Sequence, residues 1–259
     1  MERTIQKEQP KEAQNEQEVV VRAEHLQKSF GAKQVLKDVS FVLHKKENIA
    51  ILGKSGTGKS VLIKSMVGLV SPSGGRLEVL GQNVLEKKDE EDWEELRRKV
   101  AYLFQGGALY DSMTVRENLA FPLKRQVEKM SDAQIEEEVE MALENVGLLD
   151  AMNKMPSELS GGMKKRIALA RTLILKPEIM LYDEPTTGLD PVTSKEISEL
   201  ILEMQNKFDI SSIIGTHDMA CAKMTADKVV ILWEGAVGAE GKYDELVESE
   251  EAWVRAFFT

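Results

Sequence analysis

Short apolar stretches separated by turn signals dominate the first part of the chain. They are typical of strands because each is brief and is bounded by glycine or by charged pairs. These stretches lie at residues 19–21, 39–43 and 48–52. The pattern then changes to helical spacing over residues 60–69, where apolar positions from Leu62 to Leu69 recur on one side, and the helix is expected to end near Gly68. The order strand, glycine-rich loop, helix is therefore predicted for this region.

A second pattern follows in the middle and at the end of the chain. Residues 131–146 are predicted to form a helix, because Ser131 and Gln134 have the spacing of a capping box and the apolar residues after them share one face. Later apolar runs predict buried strands at residues 178–182, 210–214 and 229–232, with helical segments such as 194–204 between them. This alternation predicts an α/β fold with a mainly parallel sheet.

Residues 53–60 read GKSGTGKS and match the pattern GxxxxGK[ST] in full, between the predicted strand and helix that the pattern requires. Its glycines allow backbone N–H groups to surround the β- and γ-phosphates of a nucleotide, Lys59 adds a positive charge, and the Ser60 hydroxyl can bind Mg²⁺. We therefore expect ATP and Mg²⁺ to bind here. The predicted nucleotide-binding residues of this loop are Gly53, Lys54, Ser55, Gly56, Thr57, Gly58, Lys59, Ser60 and Val61.

Two adjacent carboxylates, Asp183 and Glu184, follow an apolar strand. They are expected at the carboxyl edge of the sheet, where α/β folds bind ligands. Asp183 suits a role in binding Mg²⁺, and Glu184 can polarise the water that attacks the γ-phosphate. His217 follows another apolar strand, although a single histidine at such a position is more often a capping or packing residue.

Composition restricts the class of protein. With 42% hydrophobic residues over 259 positions, the chain can form one large α/β domain, or a core domain that carries a smaller lobe. The net charge of −10 argues against a wide nucleic-acid-binding surface, which has to neutralise many phosphates. The single cysteine, Cys221, cannot form an internal disulfide, and with only three histidines beside it a zinc site is not expected.

The N-terminal segment, residues 1–18, is polar and is expected to be a disordered tail exposed to solvent. It contains no apolar stretch long enough for a secretory signal. No apolar run approaches the ~20 residues that cross a bilayer. We therefore expect a cytoplasmic protein.

Residues 159–163, LSGGM, resemble the signature motif of the ATPases of ABC transporters. Gln105, Glu184, Asp190 and His217 occur at the order and spacing of the family's Q-loop, catalytic glutamate, D-loop and switch histidine. The resemblance covers residues 19–246 and implies a P-loop NTPase core of ABC type, with an N-terminal antiparallel β subdomain and an inserted α-helical subdomain at about residues 106–168. Residues 247–259 would form a C-terminal extension.

The resemblance also implies how the residues act. Catalysis would depend on Glu184, His217, Lys59 and Gln105, and the metal would be bound by Ser60, Gln105 and Asp183. Phe30 would stack on adenine, although a phenylalanine of the core is the alternative. Ser160, Gly161 and Gly162 open a helix whose N-terminus can donate hydrogen bonds to a γ-phosphate. In the family they act, together with Asp190, on the ATP of a second copy.

Two residues depart from the usual family pattern, namely Met163 in place of glutamine and Phe30 in place of tyrosine. The methionine, with the stretches at residues 103–123 and 155–171, resembles the ATPases of Mla- and Mce-type lipid transporters. This resemblance implies a membrane permease bound through a groove near residues 106–122, with a lipid-binding substrate subunit and a small accessory subunit as further partners. The chain would lie on the cytoplasmic face of the inner membrane and drive movement of phospholipid or a related lipid.

Three alternatives to this interpretation exist. An ABC transporter for another substrate, such as amino acids or metal ions, would have the same ATPase chemistry. A cytosolic ABC-type ATPase of translation or DNA repair usually carries tandem domains or a long coiled-coil insertion, and the sequence has neither. Residues 206–209 match the guanine-reading pattern NKxD of GTPases, but they end a predicted helix rather than a strand.

Overall fold

A computed structural model of the chain describes residues 18–126 and 130–258. The predicted disordered tail therefore lies outside the described residues, apart from Glu18. Within the described part of the chain, no helix is long and apolar enough to span a membrane.

One ten-stranded sheet runs through the described residues, in the order β5-β4-β1-β2-β10-β9-β3-β8-β7-β6. Its strands are β1 (Val19–Phe30), β2 (Lys33–His44), β3 (Asn48–Leu52), β4 (Gly74–Val79), β5 (Gln82–Asn83), β6 (Val100–Leu103), β7 (Ile179–Asp183), β8 (Ser211–Thr216), β9 (Lys228–Trp233) and β10 (Ala236–Gly241). The sheet has two halves. Strands β1, β2, β4 and β5 pair antiparallel, whereas β6, β7, β8, β3 and β9 pair parallel. Strand β10 pairs antiparallel with β9 and meets β2 where Ala236 lies opposite Asp38.

Seven α-helices lie between strands in the chain, and two follow the last strand of the described residues. They are α1 (Lys59–Met66), α2 (Glu90–Lys99), α3 (Val115–Gln126), α4 (Asp132–Asn145), α5 (Gly161–Leu173), α6 (Pro191–Phe208), α7 (Met219–Thr225), α8 (Tyr243–Val247) and α9 (Ala252–Arg255). Every residue of β3, β7 and β8 is buried, since helices cover both faces of this half of the sheet. The predicted α/β fold with an N-terminal antiparallel region is therefore confirmed.

Helices α3, α4 and α5 lie between β6 and β7 in the chain and share one apolar core. The predicted capping box of α4 is present, with the Gln134 N–H donating to Ser131 Oγ at 3.3 Å and the Ser131 N–H donating to Gln134 Oε1 at 2.9 Å. Its predicted apolar face is buried through Ile135, Val139 and Leu143. This packing, more than helix propensity, stabilises the three helices.

Helix α1 ends close to the position near Gly68 that the sequence predicts, although one residue of its apolar pattern is placed differently. It ends at Met66, and Leu69, expected on its buried face, is 49% exposed. The chain turns at Gly68, whose φ of 72° favours glycine, so that Leu69 leaves the helix face.

The C-terminal helices α8 and α9 pack on the same domain. Leu246 and Val254 are buried against β3, β9 and α7. The Trp253 ring lies 5.6 Å from the ring of Trp233, the last residue of β9. This arrangement brings the end of the described chain close to the loop that follows β3.

Candidate active site

A cleft of about 830 Å³ opens where the parallel strands β3, β7 and β8 end. Among the predicted site residues, those that line it are Gly53, Lys54, Ser55, Gly56, Gly58, Lys59, Ser60, Val61, Gln105, Glu184 and His217. The cleft thus collects residues from positions more than 160 apart in the sequence. Convergence at this edge follows from the parallel pairing, because the carboxyl ends of all these strands face the same way.

The glycine-rich loop connects β3 directly to α1. Gly58 has a φ of 107°, and a Cβ at this position would lie 2.7 Å from the Leu36 side chain, so both conformation and space require glycine. Thr57 does not line the cleft, and its hydroxyl donates to the Lys54 carbonyl at 3.0 Å, which closes the loop on itself. The loop therefore places successive backbone N–H groups at the start of a helix, as anion binding requires.

Lys59 is almost fully buried at the first position of α1. Its ammonium group donates to the Gly53 carbonyl at 2.7 Å and lies 3.1 Å from Glu184 Oε1. A buried positive charge must be paired, and here a loop carbonyl and a carboxylate do so. The charge is thus held inside the curve of the loop.

Asp183 ends β7 and is also buried. Its Oδ1 accepts a hydrogen bond from Ser60 Oγ at 2.6 Å, and its Oδ2 accepts one from the Tyr102 hydroxyl at 2.6 Å. Burial and the contact with Asp183 raise the pKa of Tyr102 above its ordinary value, so this hydroxyl keeps its proton and acts as a donor. Sequence reasoning missed Tyr102, since only the pairing of β6 beside β7 brings it to Asp183.

A carboxylate and a serine hydroxyl in contact suit a hard cation such as Mg²⁺. Within the described ranges, no group of three or more His, Cys, Asp or Glu side chains could bind a metal. Beside phosphates, Mg²⁺ is usually bound by one or two carboxylates, and substrate oxygens and waters complete the shell.

Glu184 has an unusual backbone conformation, with a φ of 53° that is uncommon for a residue other than glycine. Its N–H donates to the Gly215 carbonyl at 2.8 Å, which fixes it against the end of β8. The carboxylate contacts His217 Nδ1 at 2.8 Å and accepts a hydrogen bond from the Thr187 hydroxyl at 3.2 Å. Glu184 and His217, predicted separately, therefore form one hydrogen-bonded pair at the cleft.

Gln105 follows β6 and lines the cleft on the side of the three-helix core. Its backbone carbonyl accepts a hydrogen bond from Lys165 on α5. Burial lowers the pKa of Lys165. Gln105 is thus hydrogen-bonded to α5, the helix that begins at the predicted signature.

Ser160, Gly161, Gly162 and Asp190 are among the described residues that do not line the cleft. Ser160 caps α5 by accepting a hydrogen bond from the Met163 N–H at 3.2 Å, and Asp190 caps α6. A hydrogen bond from the Thr193 hydroxyl, with others from backbone N–H groups, lowers the pKa of Asp190. One chain therefore does not bring these predicted residues to its own phosphate loop.

Phe30 does not line the cleft either, as far as the described residues show. Its side chain is 50% exposed and the Lys28 ammonium lies 4.7 Å from its ring centroid, so the alternative of a core phenylalanine is wrong.

The guanine-reading pattern at residues 206–209 lies away from the cleft, at the end of α6. In the described part of the chain these residues therefore do not contribute to the cleft.

The C-terminal segment contributes cleft residues that the sequence did not indicate. Ala256 and Phe257 line the cleft together with Val35 and Met219. No local motif marks Ala256 or Phe257, because they reach the cleft only through the packing of α9 on the sheet. The predicted C-terminal extension thus packs on its own domain.

The chain is similar in sequence to a known family and to several known proteins. Residues 36–187 match a family model described as ABC transporter. Protein TRIGALACTOSYLDIACYLGLYCEROL 3, chloroplastic, of Arabidopsis thaliana is 38% identical over 95% of this chain and 75% of its own length. The Probable ribonucleotide transport ATP-binding protein mkl of Mycobacterium leprae is 38% identical over 92% of this chain and 68% of its own length. Methionine import ATP-binding protein MetN of Campylobacter jejuni is 36% identical over 92% and 75%.

Solved structures show the same architecture. The ATP-binding cassette MJ0796, determined as a dimer in a post-hydrolysis state with ADP and Pi, has a TM-score of 0.78 and 28% identity over 86% of this chain and 98% of its own. The cbiO1 protein of Clostridium perfringens, part of the ABC transporter complex cbiONQ, has a TM-score of 0.81 and 29% identity over 93% and 95%. Family model, relatives and fold agree with the cleft geometry: the chain belongs to the ABC transporter family, as an ATP-binding subunit that hydrolyses ATP.

Proposed function

We propose that this subunit drives the movement of phospholipid or a related lipid between membranes, as a dimer attached to a separate membrane permease. Residues 19–246 would form the ATPase domain, with a helical subdomain at about residues 106–168 and a C-terminal extension at residues 247–259. The observation that carries the ATPase part is the cleft, where Lys59, Glu184 and His217 are in contact.

The cleft residues would have different roles in ATP hydrolysis. Lys59 and the loop N–H groups bind the phosphates, and Ser60, Asp183 and Gln105 would hold the Mg²⁺ that accompanies ATP, whose charge would offset that of the phosphates. Glu184, oriented by His217, positions a water and accepts its proton as the new O–P bond forms to the γ-phosphorus. The bond from that phosphorus to the ADP oxygen breaks, and ADP and phosphate result.

A second copy of the chain would complete the site. Ser160, Gly161 and Gly162 begin α5 away from the cleft, and the Asp190 side chain is exposed at the start of α6. The dimeric form of the MJ0796 cassette supports a two-chain arrangement. In the dimer, the start of α5 in one copy would donate hydrogen bonds to the γ-phosphate bound by the other.

A groove of about 370 Å³ beside the helical core is the proposed permease contact. Its wall includes Tyr110, Phe121 and Pro122, within the predicted range of residues 106–122, and Phe104 just before Gln105. Phe104 and Tyr110 are 40% and 44% exposed, and exposed aromatic residues that share one groove are typical of a surface that binds a partner. We place the subunit on the cytoplasmic face of the membrane through this contact.

The lipid assignment depends on Met163 and on the resemblance of the surrounding stretches to Mla- and Mce-type ATPases. In the structure Met163 is partly buried against the core of the helical region, so an apolar side chain is suited to this position. The Arabidopsis relative is named for trigalactosyldiacylglycerol, which supports a lipid. The relatives named for ribonucleotide and methionine transport have similar identity, so a transporter of another substrate, such as amino acids, is the alternative.

Reconstitution tests the substrate. The subunit is purified with its permease and any lipid-binding or small accessory subunit that accompanies it, and the complex is placed in vesicles with a fluorescent phospholipid. We expect lipid transfer that requires Mg²⁺ and ATP and is lost in a Glu184→Gln complex. ATPase activity stimulated by an amino acid and its binding protein, without lipid transfer, would instead establish the alternative.

A further inference from the structure

Tyr102 contacts both Asp183 at the cleft and the groove proposed to bind the permease. It lies on β6, the last strand of the sheet, opposite Leu181 of the neighbouring β7. Its hydroxyl extends past the end of this pairing and donates to Asp183 Oδ2 at 2.6 Å. Its ring belongs to the wall of the groove that contains Phe104 and Tyr110. A single side chain thus extends from the groove to the carboxylate at the cleft.

The environment of Asp183 makes this contact significant. Each carboxylate oxygen accepts one short hydrogen bond, from Ser60 on one side and from Tyr102 on the other. Both donors are uncharged hydroxyls, and the ion pairs among the described residues do not include Asp183. The negative charge of Asp183 therefore stays available to a cation. The χ2 angle of an aspartate is otherwise broadly distributed, and here two hydrogen bonds on different oxygens fix the plane of the carboxylate.

We propose that Tyr102 is a positioning residue for the magnesium site, which orients Asp183 through its hydroxyl and links that orientation to the groove through its ring. Partners that orient metal-binding side chains influence metal affinity strongly even though they do not touch the metal. Ser60 could not do this alone, because one hydrogen bond leaves the carboxylate free to rotate about it.

The groove side of the link is also visible. The Tyr102 and Phe104 rings pack edge to face, with centroids 4.5 Å apart and planes inclined by 70°. Phe104 is half-exposed in the groove and directly precedes Gln105. Movement of Phe104 by anything that occupies the groove would therefore press on the Tyr102 ring and shift the hydroxyl that holds Asp183.

Tyr102→Phe tests the positioning role, because it removes only the hydroxyl. ATP binding is measured by calorimetry at rising Mg²⁺ concentrations and again in the presence of a chelator. We expect the Mg²⁺ concentration for half-maximal enhancement of ATP binding to rise about 10-fold, while metal-free ATP binding is unchanged since Lys59 and its loop are intact. An unchanged Mg²⁺ dependence would overturn the inference.

Tyr182→Phe is the matched control. Tyr182 precedes Asp183 on β7, and its buried hydroxyl has no hydrogen-bond partner among the described residues. Loss of this hydroxyl should leave the Mg²⁺ dependence as in the wild type. A shift equal to that of Tyr102→Phe would mean that any tyrosine near Asp183 has the same influence, and would contradict the specific role of Tyr102.

A double-mutant cycle tests the link to the groove. Phe104→Ala should raise the half-maximal Mg²⁺ concentration about 3-fold, and it should add little in a Tyr102→Phe background, because the effect passes through the Tyr102 hydroxyl. Full additivity of the two changes would exclude the link.

The inference rests on the proposed function only in assuming that this subunit uses Mg²⁺ with ATP. A wild-type protein whose ATP binding and turnover ignore Mg²⁺ would contradict that function. If ATP binding by the wild type depends on Mg²⁺ and the Tyr102→Phe variant shows the same dependence, only this inference is contradicted.

Discussion

At the scale of single residues, Glu184 is the centre of the site. One carboxylate oxygen faces the Lys59 ammonium at 3.1 Å, and the other meets His217 at 2.8 Å and Thr187 at 3.2 Å. The backbone of Glu184 adopts a left-handed conformation that few residues tolerate, and the Gly215 carbonyl holds it there. Strained backbone maintained by surrounding contacts is common at active sites, and here it directs the carboxylate into the cleft.

Glu184→Gln is expected to stop turnover while leaving ATP binding intact. The amide keeps the shape of the side chain but cannot accept the proton of the attacking water, so the rate should fall by about 10² to 10⁴. Phosphate release and ATP affinity are measured on the same protein. Glu178→Gln is the control, because Glu178 precedes β7 at the opposite end of the strand and should have no effect. Wild-type turnover in Glu184→Gln would contradict the role of Glu184.

Lys59→Ala is expected to weaken ATP binding about 30-fold or more, which corresponds to ~2 kcal/mol or more for truncating a buried, hydrogen-bonded charge. Lys59 is 4% exposed and its ammonium donates to the Gly53 carbonyl, so its charge is held against the loop. Binding of labelled ATP measures the effect. Lys64→Ala, on the same helix but outside the described cleft lining, should bind ATP normally. Unaltered affinity in Lys59→Ala would refute the phosphate-binding role.

At the scale of elements, the site depends on where strands and helices end. Strands β3, β7 and β8 stop at the same edge, and each is followed by a functional group: the loop to α1, the Asp183 and Glu184 pair, and His217. Helix α9 adds an element that the family motifs do not include. Its packing through Val254 and Trp253 carries Phe257 to the mouth of the cleft.

Phe257→Ala is expected to weaken ATP binding about 2- to 10-fold, because an aromatic wall of the cleft is removed. Phe258→Ala is the control. The Phe258 ring packs on Tyr243 with centroids 5.1 Å apart, and within the described residues it does not line the cleft. Its loss should lower the melting temperature without changing ATP affinity. Equal ATP affinity in Phe257→Ala and the wild type would show that the end of the chain has no part in binding.

At the scale of the whole molecule, the proposed ATP site needs two copies of the chain. The phosphate loop and Glu184 lie in the cleft, but the start of α5 and Asp190 lie outside its described lining. Two copies arranged head to tail would pair each phosphate loop with the other copy's α5. The symmetry of such a dimer makes both composite sites identical.

Mixed dimers test this arrangement. Lys59→Ala disables the phosphate loop and Ser160→Arg disables the start of α5, so each variant alone should be nearly inactive. In an equal mixture, half of the dimers are mixed and each contains one intact composite site, so activity up to about a quarter of the wild type should return. ATPase assays of the variants alone and combined give the measurement. Full activity of Ser160→Arg by itself would contradict a shared site.

Local patterns predicted much of this protein. The phosphate loop, the capping box of α4 and the strand that ends in Asp183 and Glu184 all depend on residues adjacent in sequence, so periodicity and spacing reveal them. The end of α1 near Gly68 was predicted as well, but Leu69 was expected on the apolar face and is exposed, because Gly68 turns the chain. The sequence by itself thus determined the class of fold, the nucleotide chemistry and the residues of the phosphate loop.

Only the tertiary structure decided which distant residues meet. Tyr102 reaches Asp183 because β6 pairs with β7, and Phe257 reaches the cleft because α9 packs on the sheet. Neither contact leaves a local signal, since a tyrosine in an edge strand or a phenylalanine near a terminus fits many folds. The physical reason is that local periodicity records which face of an element is buried, whereas strand order and helix packing determine what that face touches.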